Sequence, residues 1–107
     1  MQGIDRRKVE GAIRIMIYDI ITTSIADMHI EKLRKSGDKL ALKRLDRIRG
    51  ELKEHPETGF GSPSRKKHNL SGCWSREITD KHRLLYTIDN EAATVTVIFA
   101  YGHYDDK

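Results

Sequence analysis

A chain of 107 residues with one cysteine, Cys73, is sized for a single domain and cannot close an internal disulfide. This suits a reducing, cytoplasmic setting. Its longest apolar runs, such as the one from Ile13 to Ile21, are broken by charge and fall short of the roughly 20 residues that span a bilayer. No secretion signal or membrane segment is therefore expected. Twenty Lys and Arg against sixteen Asp and Glu leave a net charge of +4, gathered at 32–35, 43–49 and 65–68. Such a stripe is either the footprint of a polyanion or an ordinary solvated face.

Residues 1–12, with Asp5-Arg6-Arg7-Lys8 and few apolar anchors, read as a basic N-terminal extension, flexible or partly helical, and the domain proper as 13–107. The Ile-rich run 13–22 suits a first strand. Ser24 is expected to cap a helix, with Asp27 in its first turn. Ala26, Ile30 and Leu33 share a face, and Ser36-Gly37 should end the helix. Asp38 can cap a second helix at once, its apolar stripe being Ala41, Leu45, Ile48 and Leu52. Pro56 closes it, and the stretch 55–66, with Gly59, Gly61 and Pro63, reads as a loop of special geometry. Strands are expected at about 72–79, 83–89 and 94–101, joined by polar turns into an antiparallel meander. The fold class is α+β, in the order β-α-α-β-β-β, with both helices on one face of an antiparallel sheet.

Chemistry concentrates late in the chain. Arg83 opens a strand after a turn, where its planar guanidinium can meet a phosphate; the plainer alternative is a surface ion pair with Asp80 or Glu77. His103 and Tyr104 follow Gly102. One can exchange a proton near neutral pH and the other can bind phosphate or stack on a base, unless both belong to a frayed terminus. Arg65-Lys66-Lys67-His68 is either a phosphate-binding run beside a Gly-rich loop or a solvated basic loop. Trp74 reads as core, Cys73 as a small hydrophobe, His82 as a structural residue of its turn, and His29 and His55 as helix-surface residues. Nothing in the chain has metal-ligand spacing, and no cofactor is expected.

The run Lys67-His68-Asn69-Leu70-Ser71-Gly72, then Trp74-Ser75-Arg76, Ile78-Thr79, His82-Arg83-Leu84 and Tyr86, with the ending His103-Tyr104, resembles the central signature of the YoeB/Txe toxins of bacterial toxin–antitoxin pairs. The resemblance covers about residues 37–104. It implies a small RelE-like fold, related to microbial ribonucleases. It further implies a metal-independent, ribosome-dependent mRNA endonuclease that activates the ribose 2′-hydroxyl against the adjacent phosphate. Carried over, Arg83 stabilises the pentacoordinate phosphate, His103 is the general acid, Tyr104 orients the phosphate, and Lys67 and His68 hold the RNA backbone, with Arg65, Lys66 and Arg76 adding RNA-facing charge. The implied partners are mRNA on the ribosome and a YefM/Phd-type antitoxin, with homodimerisation left open.

Two departures stand out. Where the family has a glutamate base after the proline of its Gly-x-Gly-x-Pro loop, Gly59-Phe60-Gly61-Ser62-Pro63 is followed by Ser64. Glu77 also stands where a basic residue is usual. The alternative reading is thus a catalytically impaired ribosome- or antitoxin-binding protein of the same fold, unless His103, a carboxylate such as Glu57, or the ribosome replaces the base.

Overall fold

The structure, a computed structural model, describes residues 16–102. The expected basic extension at 1–12 and the residues His103 and Tyr104 lie outside the described residues. Within them the chain runs β1 (Asp19–Thr22), α1 (Ser24–Ser36), α2 (Lys39–Leu52), β2 (Ser64–Arg65), β3 (Trp74–Glu77), β4 (Arg83–Asp89) and β5 (Thr94–Phe99), with one 3₁₀ turn at His68–Leu70. No helix among the described residues is long and apolar enough to cross a membrane.

Both helices follow from their caps. The cap of α1 is Thr23, one residue before the Ser24 expected, its Oγ1 accepting the Ala26 amide at 3.1 Å. Three successive hydroxyl residues make either register chemically sensible, and Thr22 then donates to the Asp27 carboxylate at 2.6 Å. Gly37 ends α1 in the left-handed region, and Asp38 Oδ1 accepts the Ala41 amide at 3.0 Å, as its position after the glycine leads one to expect. The stripe Ala41, Leu45, Ile48 and Leu52 is buried throughout. It packs with Ala26, Ile30 and Leu33 of α1 and with Leu84, Tyr86, Val95 and Val97 of the sheet in one core. At about 1.5–3 kcal/mol per fully buried large aliphatic side chain, this cluster is the main source of stability.

The sheet corrects the sequence reading in two ways. It has five strands in the order β1-β5-β4-β3-β2, and it is mixed rather than antiparallel, because β1 runs parallel to β5 with Asp19 opposite Thr94 and Thr22 opposite Val97. Alternation along a strand is indifferent to the direction of its neighbour, and the helical hairpin supplies the long crossover that a parallel pair requires. The extra strand, β2, is two exposed polar residues, too short to carry a periodic signal.

Register divides the side chains cleanly. Paired residues share a face, so Val95, Val97, Leu84, Tyr86, Trp74 and Arg76 lie on the helix-covered side. Arg83, Leu85, Ser75, Glu77 and Ser64 point to the other, open side, which carries no helix among the described residues although Ser75 and Leu85 are themselves buried.

Candidate active site on the open sheet face

Three strands contribute to the open face around Arg83. Ser64 stands opposite Ser75, Ser75 opposite Leu85, and Glu77 opposite Arg83, so the position of the family's usual base and the expected phosphate-binding guanidinium share one surface. Arg83 is half-buried, and its backbone amide donates to the Gly102 carbonyl at 3.0 Å. Lys67 and His68 come just beyond β2, after Lys66, and are exposed; His68 holds a positive φ of 60° at the head of the 3₁₀ turn, before the amides of Leu70 and Ser71 close it.

The end of β5 is fastened by contacts that the sequence did not disclose. His82, expected as a structural residue of its turn, is buried and accepts the Gly102 amide on Nδ1 at 2.7 Å, which leaves its proton on Nε2, 4.0 Å from Asp38 Oδ2. Its ring lies 4.6 Å from that of Tyr101, and the Lys32 ammonium sits 4.7 Å from the Tyr101 centroid. The chain therefore leaves Gly102, bonded on both sides, beside the backbone of Arg83.

His29 is not a plain surface residue of α1. Its Nδ1 accepts the amide of buried Ala100 at 3.1 Å, and its ring meets Phe99 edge-on at 4.7 Å. Burial first, then the charge of Lys32, hold its pKa below the ordinary 6.5. The neutral form is the one that accepts a hydrogen bond. A folded pKa below the unfolded one means that this stability is complete above pH 6.5 and is lost as pH falls through the folded value. Thermal melts across this range should show the midpoint falling on acidification, and His29→Gln, which keeps an acceptor and does not titrate, should flatten the slope.

Arg76 departs most from its expected role. Instead of facing RNA it is fully buried, on the helix-covered side, with its guanidinium bonded to Glu51, to backbone carbonyls of the 55–60 stretch and to Tyr86. Arg65 is also turned away from Ser64. It pairs in register with Trp74, and its guanidinium lies 5.5 Å from the Trp74 ring centroid. Together with Lys66, Cys73, Asn90 and Glu57 these residues line a cleft of about 370 Å³. Glu57 thus stands with Arg65 and Trp74, on the side away from Arg83. Glu77, by contrast, is cross-strand from Arg83.

What this surface can do chemically is bind an oxyanion at the half-buried Arg83, with a short hydroxyl side chain on the edge strand β2 and the stretch after β5 anchored beside it. Comparison with known proteins identifies the family. Residues 25–104 match the YoeB-like toxin of bacterial type II toxin–antitoxin systems. The chain is 40% identical to Toxin YoeB of Escherichia coli O6:H1 over 58 residues, 54% of this chain and 69% of that protein. Its fold superposes on a YoeB/ParE toxin from Agrobacterium tumefaciens with a TM-score of 0.74 and 26% identity, covering 80% of this chain and 99% of the other. On the YoeB-YefM complex from Staphylococcus aureus the TM-score is 0.69 with 25% identity, over 81% and 98% of the two chains. On the strength of the match, which takes in α1 through the end of the sheet, the chain belongs to the family of YoeB-like toxins of bacterial type II toxin–antitoxin systems.

Proposed function

We propose that the protein is a metal-independent mRNA endonuclease that acts on the translating ribosome. The observation that carries this reading is the placement of Ser64, Glu77 and Arg83 on one open sheet face, with the Arg83 amide bonded to Gly102, the residue immediately before His103 in the chain. In the proposed reaction the ribose 2′-hydroxyl loses its proton to a solvent water as its oxygen attacks the adjacent phosphorus. The bond from phosphorus to the 5′-oxygen then breaks, leaving a 2′,3′-cyclic phosphate, and the leaving oxygen takes a proton. Arg83 stabilises the charge on the phosphoryl oxygens, His103 supplies the leaving-group proton, Tyr104 orients the phosphate, and Lys67 and His68 hold the flanking backbone. The ribosome contributes substrate orientation, which matters most for an enzyme without a glutamate at position 64.

A partner reading accompanies this one. A YoeB protein of Staphylococcus aureus is seen in complex with YefM. For this chain we place a YefM/Phd-type antitoxin over the same open face, where acidic and apolar side chains would mask Arg83 and Lys67. A catalytically impaired binding protein of the same fold is the competing reading, favoured by Ser64 alone.

Toeprinting of a defined mRNA on programmed ribosomes separates them. The expected result is a new 3′ end at the A-site codon that appears with the protein and disappears when the antitoxin is added, while the same RNA without ribosomes stays nearly intact. Efficient cutting of naked RNA, or none on ribosomes, would refute the proposal.

A further inference from the structure

A fully buried guanidinium costs several kcal/mol unless its donors are matched. In Arg76 all five N–H groups are. Nη1 donates to Glu51 Oε1 at 2.7 Å and to the Phe60 carbonyl at 3.2 Å. Nη2 donates to the His55 carbonyl and, at 2.7 Å, to the Thr58 carbonyl. Nε donates at 3.2 Å to the Tyr86 hydroxyl, which in turn donates to the Pro56 carbonyl at 2.6 Å. The stretch 53–63 has no helix or strand of its own. Its inward carbonyls are instead gathered onto one side chain of β3, which replaces the partners that a regular ladder would supply.

Glu51, at the end of α2, closes the arrangement. Its Oε1 also accepts the Phe60 amide at 2.8 Å, and its Oε2 accepts from Arg47 at 3.3 Å. Burial disfavours its charged form, but the Phe60 amide, Arg76 and Arg47 outweigh that and hold its pKa below the usual glutamate value. Two glycines fit the loop to this centre. A Cβ on Gly59, at φ 124°, would collide with the Glu51 carboxylate, and one on Gly61, at φ 90°, would lie 2.6 Å from the Glu77 carbonyl. The Gly61 carbonyl then accepts the Glu77 amide at 2.7 Å, and three residues later Ser64 enters register with Ser75.

We infer that Arg76 and Glu51 form a latch that sets the 55–63 loop on β3 and thereby delivers Ser64 and the following Lys67 to the face of Arg83. Arg76 is a positioning residue acting through the loop backbone. The effect on cleavage rests on the function proposed above; the placement of the loop does not.

The test uses the full chain with Glu51→Gln and Arg76→Lys. The first keeps an acceptor for Phe60 but removes the charge facing the guanidinium. The second keeps the charge but cannot reproduce a planar fork with five donors. Amide hydrogen exchange should speed up at Phe60 and Glu77 by about tenfold or more, with Val95 and Val97 of β5 changed much less, because local opening and global unfolding are separable. On programmed ribosomes the single-turnover rate at saturating protein should fall by up to about 10²-fold, with the half-saturating concentration nearly unchanged. Equal acceleration at Phe60, Glu77 and Val97 would reduce Arg76 to a general contributor to stability and overturn the latch. So would protected Phe60 and Glu77 amides in Glu51→Gln, which remains informative should Arg76→Lys fail to fold. A loss confined to the half-saturating concentration would mean an RNA-binding role instead. If the wild-type protein does not cleave, the enzymatic reading falls, and the exchange measurements alone decide the latch.

Discussion

Replacing Arg83 by alanine should lower single-turnover cleavage on programmed ribosomes by about 10²–10³-fold, the usual cost of removing one preorganised group that stabilises transition-state charge. The fold should survive, because Arg83 is only half-buried and the bond that ties the start of β4 to the end of the chain's last strand runs through its backbone amide, which alanine keeps. Cosedimentation with ribosomes should change far less than the rate, since the argued role lies in the transition state. A variant that cleaves within about threefold of wild type would remove Arg83 from the chemistry, an effect too small for such a group.

Ser64→Glu should act in the opposite direction. A serine hydroxyl is a poor proton acceptor at neutral pH, and a well-placed general base contributes about 10²–10⁴-fold. Position 64 lies opposite Ser75 and on the same face as Arg83, so a glutamate there would project toward the surface where the phosphate is proposed to sit. A rise in the single-turnover rate of about 10²-fold is expected, accompanied by a pH–rate profile that gains an acidic limb in the carboxylate range. An unchanged or slower Ser64→Glu protein beside an active wild type would show that another group already takes the proton. Glu77, cross-strand from Arg83, would then be the first residue to substitute.

Much of the fold was legible because it depends on local chemistry. The Gly37-Asp38 junction, the Ala41-Leu45-Ile48-Leu52 stripe and the bounds of β4 follow from capping, helical period and turn residues. The direction of β1 was not, since it is decided by a partner far along the chain, and β2 was too brief to leave a pattern. At the site, Arg83 and Ser64 lie on one surface, whereas Arg65 and Arg76, expected to face RNA, point to the other side of the sheet. Both misplacements had a signal. Neighbours in an extended strand face opposite ways, so Arg65 could not accompany Ser64. Arg76 alternates with Ser75 and Glu77 and falls in the row of Trp74 and Ile78, the latter fully buried. Charge suggested an RNA contact, while period two pointed to the interior. The period prevailed because Glu51, Tyr86 and the loop carbonyls together satisfy the guanidinium.

The parallel pairing of β1 with β5 also bears on when the fold can close during synthesis. The last strand made occupies an interior place, between the first strand and β4. Until it emerges, β1 has no neighbour, β4 has a bare edge, and Val95 and Val97 are missing from the core. Sequence-distant closure of this kind comes late in folding. A nascent chain whose β5 has not yet emerged therefore lacks both a closed sheet and a complete core.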